Sequence, residues 1–202
     1  MGELDRYGIT LIVGKRENGK TTEGVRDVVR KLDAGVYQKA YSNIHIRHPK
    51  VRFVKYEDLY KIREPCINGV PTAVLYLDQI HKYLDSRQPM CARNKYMNDV
   101  AIESRQHGLD WIGTTWAKSS IDLRVRKFAP LLVRAVRLKD RFRYTFIDEE
   151  AGRVWYGDLR LSKCQKWWDY FDTAELVEDI PSNWDPRTGP DPSLKRRQLV
   201  AQ

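Results

Sequence analysis

The sequence predicts an α/β fold: a mostly parallel central sheet flanked by helices, with an antiparallel β-hairpin towards the C terminus. Three observations carry this expectation. Short apolar runs alternate with helix-like segments over residues 9–138, the pattern of parallel strands joined by crossover helices. One strand-to-helix junction, Gly14-Lys15-Arg16-Glu17-Asn18-Gly19-Lys20-Thr21, fits G-x-x-x-x-G-K-[ST]. After Asp140 the apolar period changes to two, with Phe142, Tyr144 and Phe146 alternating with Arg141, Arg143 and Thr145.

Taken in order, Ile9 to Val13 reads as a buried strand ending at Gly14, and Val25, Val28, Val29 and Leu32 give Lys20 to Leu32 a helical stripe. Ala40 to Ile46 and Val51 to Val54 read as short strands, and Glu57 to Arg63 as a short helix. Asn68-Gly69 and Pro71 mark a turn before the apolar strand Thr72 to Leu77, which closes at Asp78. A polar loop at Ser86 to Met90 precedes a helix over Ala92 to Gln106, stopped by His107-Gly108. Leu109 to Thr115 is a central strand, Ser119 or Ser120 caps a short helix through Val125, and Leu131 to Leu138 is again a strand. The alternating segment and Val154-Trp155-Tyr156, joined through Glu149-Glu150-Ala151-Gly152, make the hairpin. From Ser182 onward Pro, Gly, Asp and basic residues dominate. Residues 1–180 are therefore expected to form one folded domain, and 181–202, with Lys195, Arg196 and Arg197, a flexible basic tail.

Composition excludes several classes. With 202 residues, 42% hydrophobic and 31% charged, the chain has material for a core and is not a disordered polyelectrolyte. No apolar run reaches the roughly 18 residues of a membrane span, and acids precede the first apolar stretch, unlike a secretory signal; a soluble protein is expected. Cys66, Cys91 and Cys164 are odd in number and far apart, which predicts reduced thiols in or near the core and no zinc knuckle. His45 and His48 have no second ligand pair.

The glycine-flanked junction is the strongest chemical signal. Its glycines let backbone N–H groups turn inward on a phosphate, and the following helix adds the positive end of its dipole. Such a P-loop would hold ATP through Gly14, Lys15, Arg16, Glu17, Asn18, Gly19, Lys20, Thr21 and Thr22. Lys20 would reach the β- and γ-phosphates, and Thr21 would ligate Mg²⁺ together with Asp78, at the end of a neighbouring strand. Gln79 follows Asp78 where many such ATPases carry Glu. A carboxamide orients water but takes no proton as a base, so another carboxylate, Glu17 or Glu103, is a candidate for that work.

Further stretches resemble the zonula-occludens-toxin-like ATPases of the FtsK–HerA superfamily. They are Ser42-Asn43-Ile44, Asp78-Gln79-Ile80-His81 with Arg87, Arg105-Gln106-His107-Gly108-Leu109-Asp110, Ser119-Ser120-Ile121-Asp122-Leu123-Arg124-Val125-Arg126 and Tyr170-Phe171-Asp172-Thr173-Ala174-Glu175. Thr115 stands where relatives often have a sensor Gln. The resemblance implies a homo-oligomeric ring, commonly a hexamer, in which an arginine of one subunit reaches the next subunit's γ-phosphate. Arg126 is the first choice for that finger, Arg124 also matches, and Arg105 is the alternative. It further implies a DNA translocase, most specifically a viral genome-packaging ATPase in the host-cell cytoplasm or at the virion vertex, docked on a portal or capsid protein. The alternatives are a phage assembly and extrusion ATPase, or a weakly hydrolysing nucleotide-binding scaffold.

The charge distribution favours a polyanionic partner. Of a net +9, residues 118–143 hold nine basic residues against Asp122 and Asp140. Arg134, Arg137, Lys139, Arg141 and Arg143 are the expected contacts to DNA phosphates, independent of sequence.

Overall fold

The computed structural model describes residues 8–178 and 180. The expected tail, 181–202, lies outside the described residues. In chain order the strands are β1 (Ile9–Val13), β2 (Lys39–Ser42), β3 (Val51–Phe53), β4 (Cys66–Ile67), β5 (Val70–Pro71), β6 (Ala73–Leu77), β7 (Leu109–Thr115), β8 (Leu131–Arg137), β9 (Arg141–Asp148) and β10 (Arg153–Arg160). The helices are α1 (Lys20–Asp33), α2 (Ala92–Ile102), α3 (Leu123–Lys127) and α4 (Gln165–Trp168).

Eight strands form one sheet in the order β10-β9-β8-β1-β7-β6-β2-β3, and β4 and β5 pair as a separate ribbon. Strands β3 to β8 along that order run parallel, and β9 and β10 extend the sheet antiparallel. The fold is thus the expected one, with the hairpin built into the sheet edge.

The two faces differ. Tyr76 packs beneath Gly24 of α1, whereas Ile80 packs on Gly113, and the register pairs Tyr76 with Ile112, so these contacts lie on opposite faces. Val25, Val28, Val29 and Leu32 of α1 are fully buried on the first face. Each such side chain contributes about 1.5–3 kcal/mol from burial. The same face carries Ala135 and Arg137 of β8 and Phe142 and Tyr144 of β9. The opposite face of β8 to β10 presents Arg134, Val136, Arg143, Val154 and Tyr156, all exposed.

Several boundaries moved for identifiable reasons. The expected strand Ala40–Ile46 stops at Ser42, because the Asn43 side chain takes over the pairing: it accepts from Asp78 N at 2.7 Å and donates to Asp78 O at 2.9 Å. The helix expected over Glu57–Arg63 is a 3-10 turn, Tyr56–Lys61. Helix α2 ends at Ile102 rather than Gln106. Helix α3 is capped by Asp122, which accepts from Arg124 N at 3.0 Å, and not by Ser119 or Ser120. Asn68 and Gly69, both at positive φ, form the two-residue turn between β4 and β5. All three cysteines are free, but only Cys164 is buried; Cys66 is exposed on the small ribbon.

Candidate nucleotide-binding site

The loop between β1 and α1 leaves the carboxyl edge of the parallel sheet. Asp78 leaves the same edge after β6, and β7 lies between the two strands. A sheet of this kind gathers its ligands outside the carboxyl ends of its strands. There a cleft of about 890 Å³ is lined by Lys20, Thr21, Asp78, Gln79, Thr114 and Thr115, among others.

Both motif glycines are sterically required. A Cβ on Gly14 would fall 2.5 Å from the Ala135 carbonyl oxygen. Gly19 has φ 79°, and a Cβ there would fall 2.7 Å from the Phe142 ring. The loop is further tied to β8 and β9: Asn18 Nδ2 donates to Ala135 O at 3.1 Å, and the Tyr144 hydroxyl donates to Gly19 O at 3.1 Å.

Lys20 Nζ donates to Lys15 O at 2.9 Å, folding back across the loop. Burial pushes its ammonium pKa down, against the upward pull of the Asp78 carboxylate. Asp78 Oδ1 accepts from three hydroxyls: Thr21 at 2.9 Å, Thr114 at 2.7 Å and Tyr76 at 3.1 Å. Burial and the adjacent carboxylate hold Tyr76 far above the usual phenol range, so it stays a donor. Thr21 and Asp78 therefore present two hard oxygen donors side by side, the chemistry a small divalent cation takes, with phosphate and water oxygens completing its shell. Gln79 lies in the left-handed region at φ 52°, and its N–H donates to Thr114 Oγ1 at 3.0 Å. That backbone is uncommon for a residue with a side chain and turns the chain sharply after Asp78.

The outer wall of the cleft comes from the C-terminal segment. Trp168 Nε1 donates to Thr22 Oγ1 at 3.1 Å. Phe171 bridges to Ile46, and the Glu175 carboxylate accepts from His45 N at 2.9 Å and meets His45 Nδ1 at 2.7 Å. His45 and His48 thus serve separate carboxylates, His48 meeting Asp33 at 3.2 Å.

Neither family models nor curated proteins match the sequence. Solved structures do. The N-terminal domain of zonular occludens toxin from Neisseria meningitidis is similar at a TM-score of 0.58 and 16% identity, covering 83% of this chain and 100% of that one. The genome packaging NTPase B204 of Sulfolobus turreted icosahedral virus 2, in complex with ATP-γ-S, is similar at a TM-score of 0.55 and 15% identity, covering 77% and 98%. ATPases 2 and 3 of Thermomonospora curvata EccC follow at 0.50 and 11% identity, covering 76% of this chain and 36% of that one.

The chain has the P-loop NTPase fold. Within that fold Arg16, Glu17, Gly19 to Thr22, Asp78 and Gln79 line one cleft, and Arg105, Arg124 and Arg126 do not. Arg124 is committed to Asp122 through two contacts at 3.1 and 3.0 Å, and Arg126 beside it on α3 has a buried Nε without a hydrogen-bond partner among the described residues. Arg105 is exposed and precedes β7, which puts it at the amino edge of the sheet, away from the P-loop of its own chain. Glu103, weighed as a replacement carboxylate, lies at that same edge, 3.7 Å from His107, and does not line the cleft; Glu17 does.

The basic residues split between faces. Arg134, Arg141 and Arg143 share the uncovered face, where Asp158 pairs with Arg143 at 2.9 Å and Arg141 at 3.3 Å, and exposed Lys139 lies in the turn. Arg137 points the other way and lines the P-loop cleft. The signal for Arg137 was available in the strand period, because Arg134 and Arg137 are an odd number of residues apart and fall on opposite faces. Thr114 and Tyr76 had no local signal, whereas His81 and Glu175 stood in the family-like stretches with nothing local to mark their partners Thr115 and His45.

Proposed function

We propose that the protein is an ATP-hydrolysing motor that moves DNA as a ring oligomer, most specifically a viral genome-packaging ATPase. The observation that carries the reading is the meeting of Thr21 and Asp78 at the mouth of a loop from which Lys20 can swing to a bound triphosphate. Mg²⁺ held by Thr21 and Asp78 would offset the charge of the β- and γ-phosphates. Lys20 exchanges its bond to Lys15 O for phosphate oxygens, and Arg137 adds positive charge to the same cleft. Arg126, on α3, is the favoured finger into the neighbouring subunit, since Arg124 is already held by Asp122. The arginine face of β8 to β10, with Lys139, is the proposed DNA track, and the ring would sit at the virion vertex on a portal or capsid protein, or free in the host cytoplasm. Likeness to B204, which is described as a genome packaging NTPase, supports this assignment.

The deciding experiment measures ATP hydrolysis with and without DNA, alongside native mass with nucleotide bound. Turnover that rises with DNA, and a ring mass, are expected; indifference to DNA overturns the motor. DNA affinity is expected to fall steeply with salt. Arg126→Ala should lower turnover by about 10³-fold with ATP affinity nearly intact. A parallel loss of binding argues against the finger.

Gln79 favours a second reading, a nucleotide-binding scaffold that hydrolyses poorly. Gln79→Glu separates the two. In the motor the variant should shift turnover by less than about tenfold, because the working acceptor lies elsewhere. In a scaffold it should create turnover from almost none, by roughly the 10²–10⁴-fold of a positioned base. Likeness to the zonular occludens toxin domain keeps an assembly or extrusion role as a third reading, although no helix among the described residues is long and apolar enough to cross a membrane.

A further inference from the structure

His81 sits in the 3-10 turn Ile80–Lys82 that follows Gln79, and it lines the P-loop cleft. Its Nδ1 lies 3.2 Å from Thr115 Oγ1 at the end of β7. The direction of that bond follows from the groups behind it. Ser120 Oγ is 2.6 Å from the Ala117 carbonyl oxygen, which can only accept, so the single Ser120 hydroxyl proton points there. Thr115 Oγ1 is 2.7 Å from Ser120 Oγ and must therefore donate to it. With its own proton spent, Thr115 Oγ1 accepts from His81, and Nδ1 carries the hydrogen. Nε2 is left with a lone pair. A hydrogen bond at one imidazole nitrogen selects the tautomer and so defines the other nitrogen.

We propose that His81 Nε2 is the acceptor that orients the attacking water and takes its proton, the work that Gln79 cannot do. The assignment rests on the hydrolase reading above. In the step, the water oxygen bonds to the γ-phosphorus as the bond to the β,γ-bridging oxygen breaks. The electron pair of that bond leaves on ADP, and the water proton passes to Nε2 and then to solvent. Burial pushes the imidazole pKa below its ordinary value, which keeps the ring neutral near pH 7. Lys82 and Arg87 act in the same direction, while Asp85, and Asp78 from the end of β6, pull it back up. Thr115 is the positioning residue: it touches His81 rather than the reacting atoms.

The chain has four histidines, so ¹⁵N spectra of histidine-labelled protein resolve each ring, and His81→Asn identifies the signal that disappears. The expected spectrum at neutral pH shows His81 with hydrogen on Nδ1 and a bare Nε2. Thr115→Val should mix the tautomers. In kinetics, His81→Ala should lower kcat about 10²-fold with KM changed by less than about threefold. His81→Gln, which keeps an acceptor at the outer position, should retain more activity than His81→Asn. A merely structural staple between the turn and β7 predicts lower thermal stability with kcat unmoved. A ring protonated on Nε2, or a His81→Ala enzyme as fast as wild type, overturns the proposal while leaving the ATPase intact. If wild type binds ATP yet releases no phosphate even with DNA, the hydrolase reading itself falls and takes this role with it.

Discussion

Lys20→Ala is expected to reduce ATP turnover by about 10²–10³-fold, the loss typical of removing one preorganised group that faces developing charge. The structure also predicts what the substitution spares. Lys20 opens α1, where alanine is a good helix former, and among the described residues its ammonium donates to the Lys15 carbonyl of its own loop. Burial already disfavours the charge, so removing it costs the folded state little. The loop itself is held by Gly14 against Ala135, by Asn18 on Ala135 O and by Tyr144 on Gly19 O, none of which involves Lys20. Phosphate release should therefore collapse while the thermal midpoint moves by no more than about 2 °C, in line with a change near ~0.5 kcal/mol. Unchanged turnover in this variant would mean that hydrolysis occurs somewhere other than the cleft.

The second large effect lies one turn further along the same helix. Glu23 and Arg26 form a contact at 2.8 Å with side chains 4% and 12% accessible, and the Arg26 guanidinium lies 5.7 Å from the centre of the Tyr144 ring. Burial pushes the Glu23 pKa up, with Arg26 opposing. Glu23→Ala leaves a buried guanidinium without its carboxylate, a change that costs about 3–5 kcal/mol. For a chain of this size that lowers Tm by roughly 6–20 °C. The double replacement Glu23→Leu with Arg26→Met should recover most of the loss, because an apolar pair of similar volume needs no charge compensation. Differential scanning calorimetry on the two variants checks both statements. A single variant as stable as wild type would show that Arg26 finds another anion. Nucleotide affinity should follow stability here, since α1 carries Lys20 and Thr21 at its start.

Much of this architecture was written locally. Strand β7 is bounded as its apolar run predicts, from Leu109 to Thr115, and β1 and α1 flank the loop as the G-x-x-x-x-G-K-T spacing requires. One boundary slipped because of a distant group and another because a neighbouring residue competed. Ser42 ends β2 because the Asn43 side chain bonds the backbone of Asp78, and the α3 cap went to Asp122, which also holds Arg124. The cysteine expectation failed at Cys66 because the Asn68-Gly69 turn folds its strand into an exposed ribbon outside the main sheet.

The glycine-flanked loop between β1 and α1, the carboxylate that ends β6, the alternation of the hairpin and the local run of positive charge were all legible in the linear chain, since each depends on residues near one another in sequence. How they combine is a matter of long-range packing. Packing set Thr114 against Asp78, His81 against Thr115 and Glu175 against His45, and it separated Arg137 from Arg134, Arg141 and Arg143. The reason is the strand order. By inserting β7 between β1 and β6 and adding β8 beside β1, the sheet brings side chains dozens of residues apart to one carboxyl edge, a juxtaposition that no local periodicity encodes.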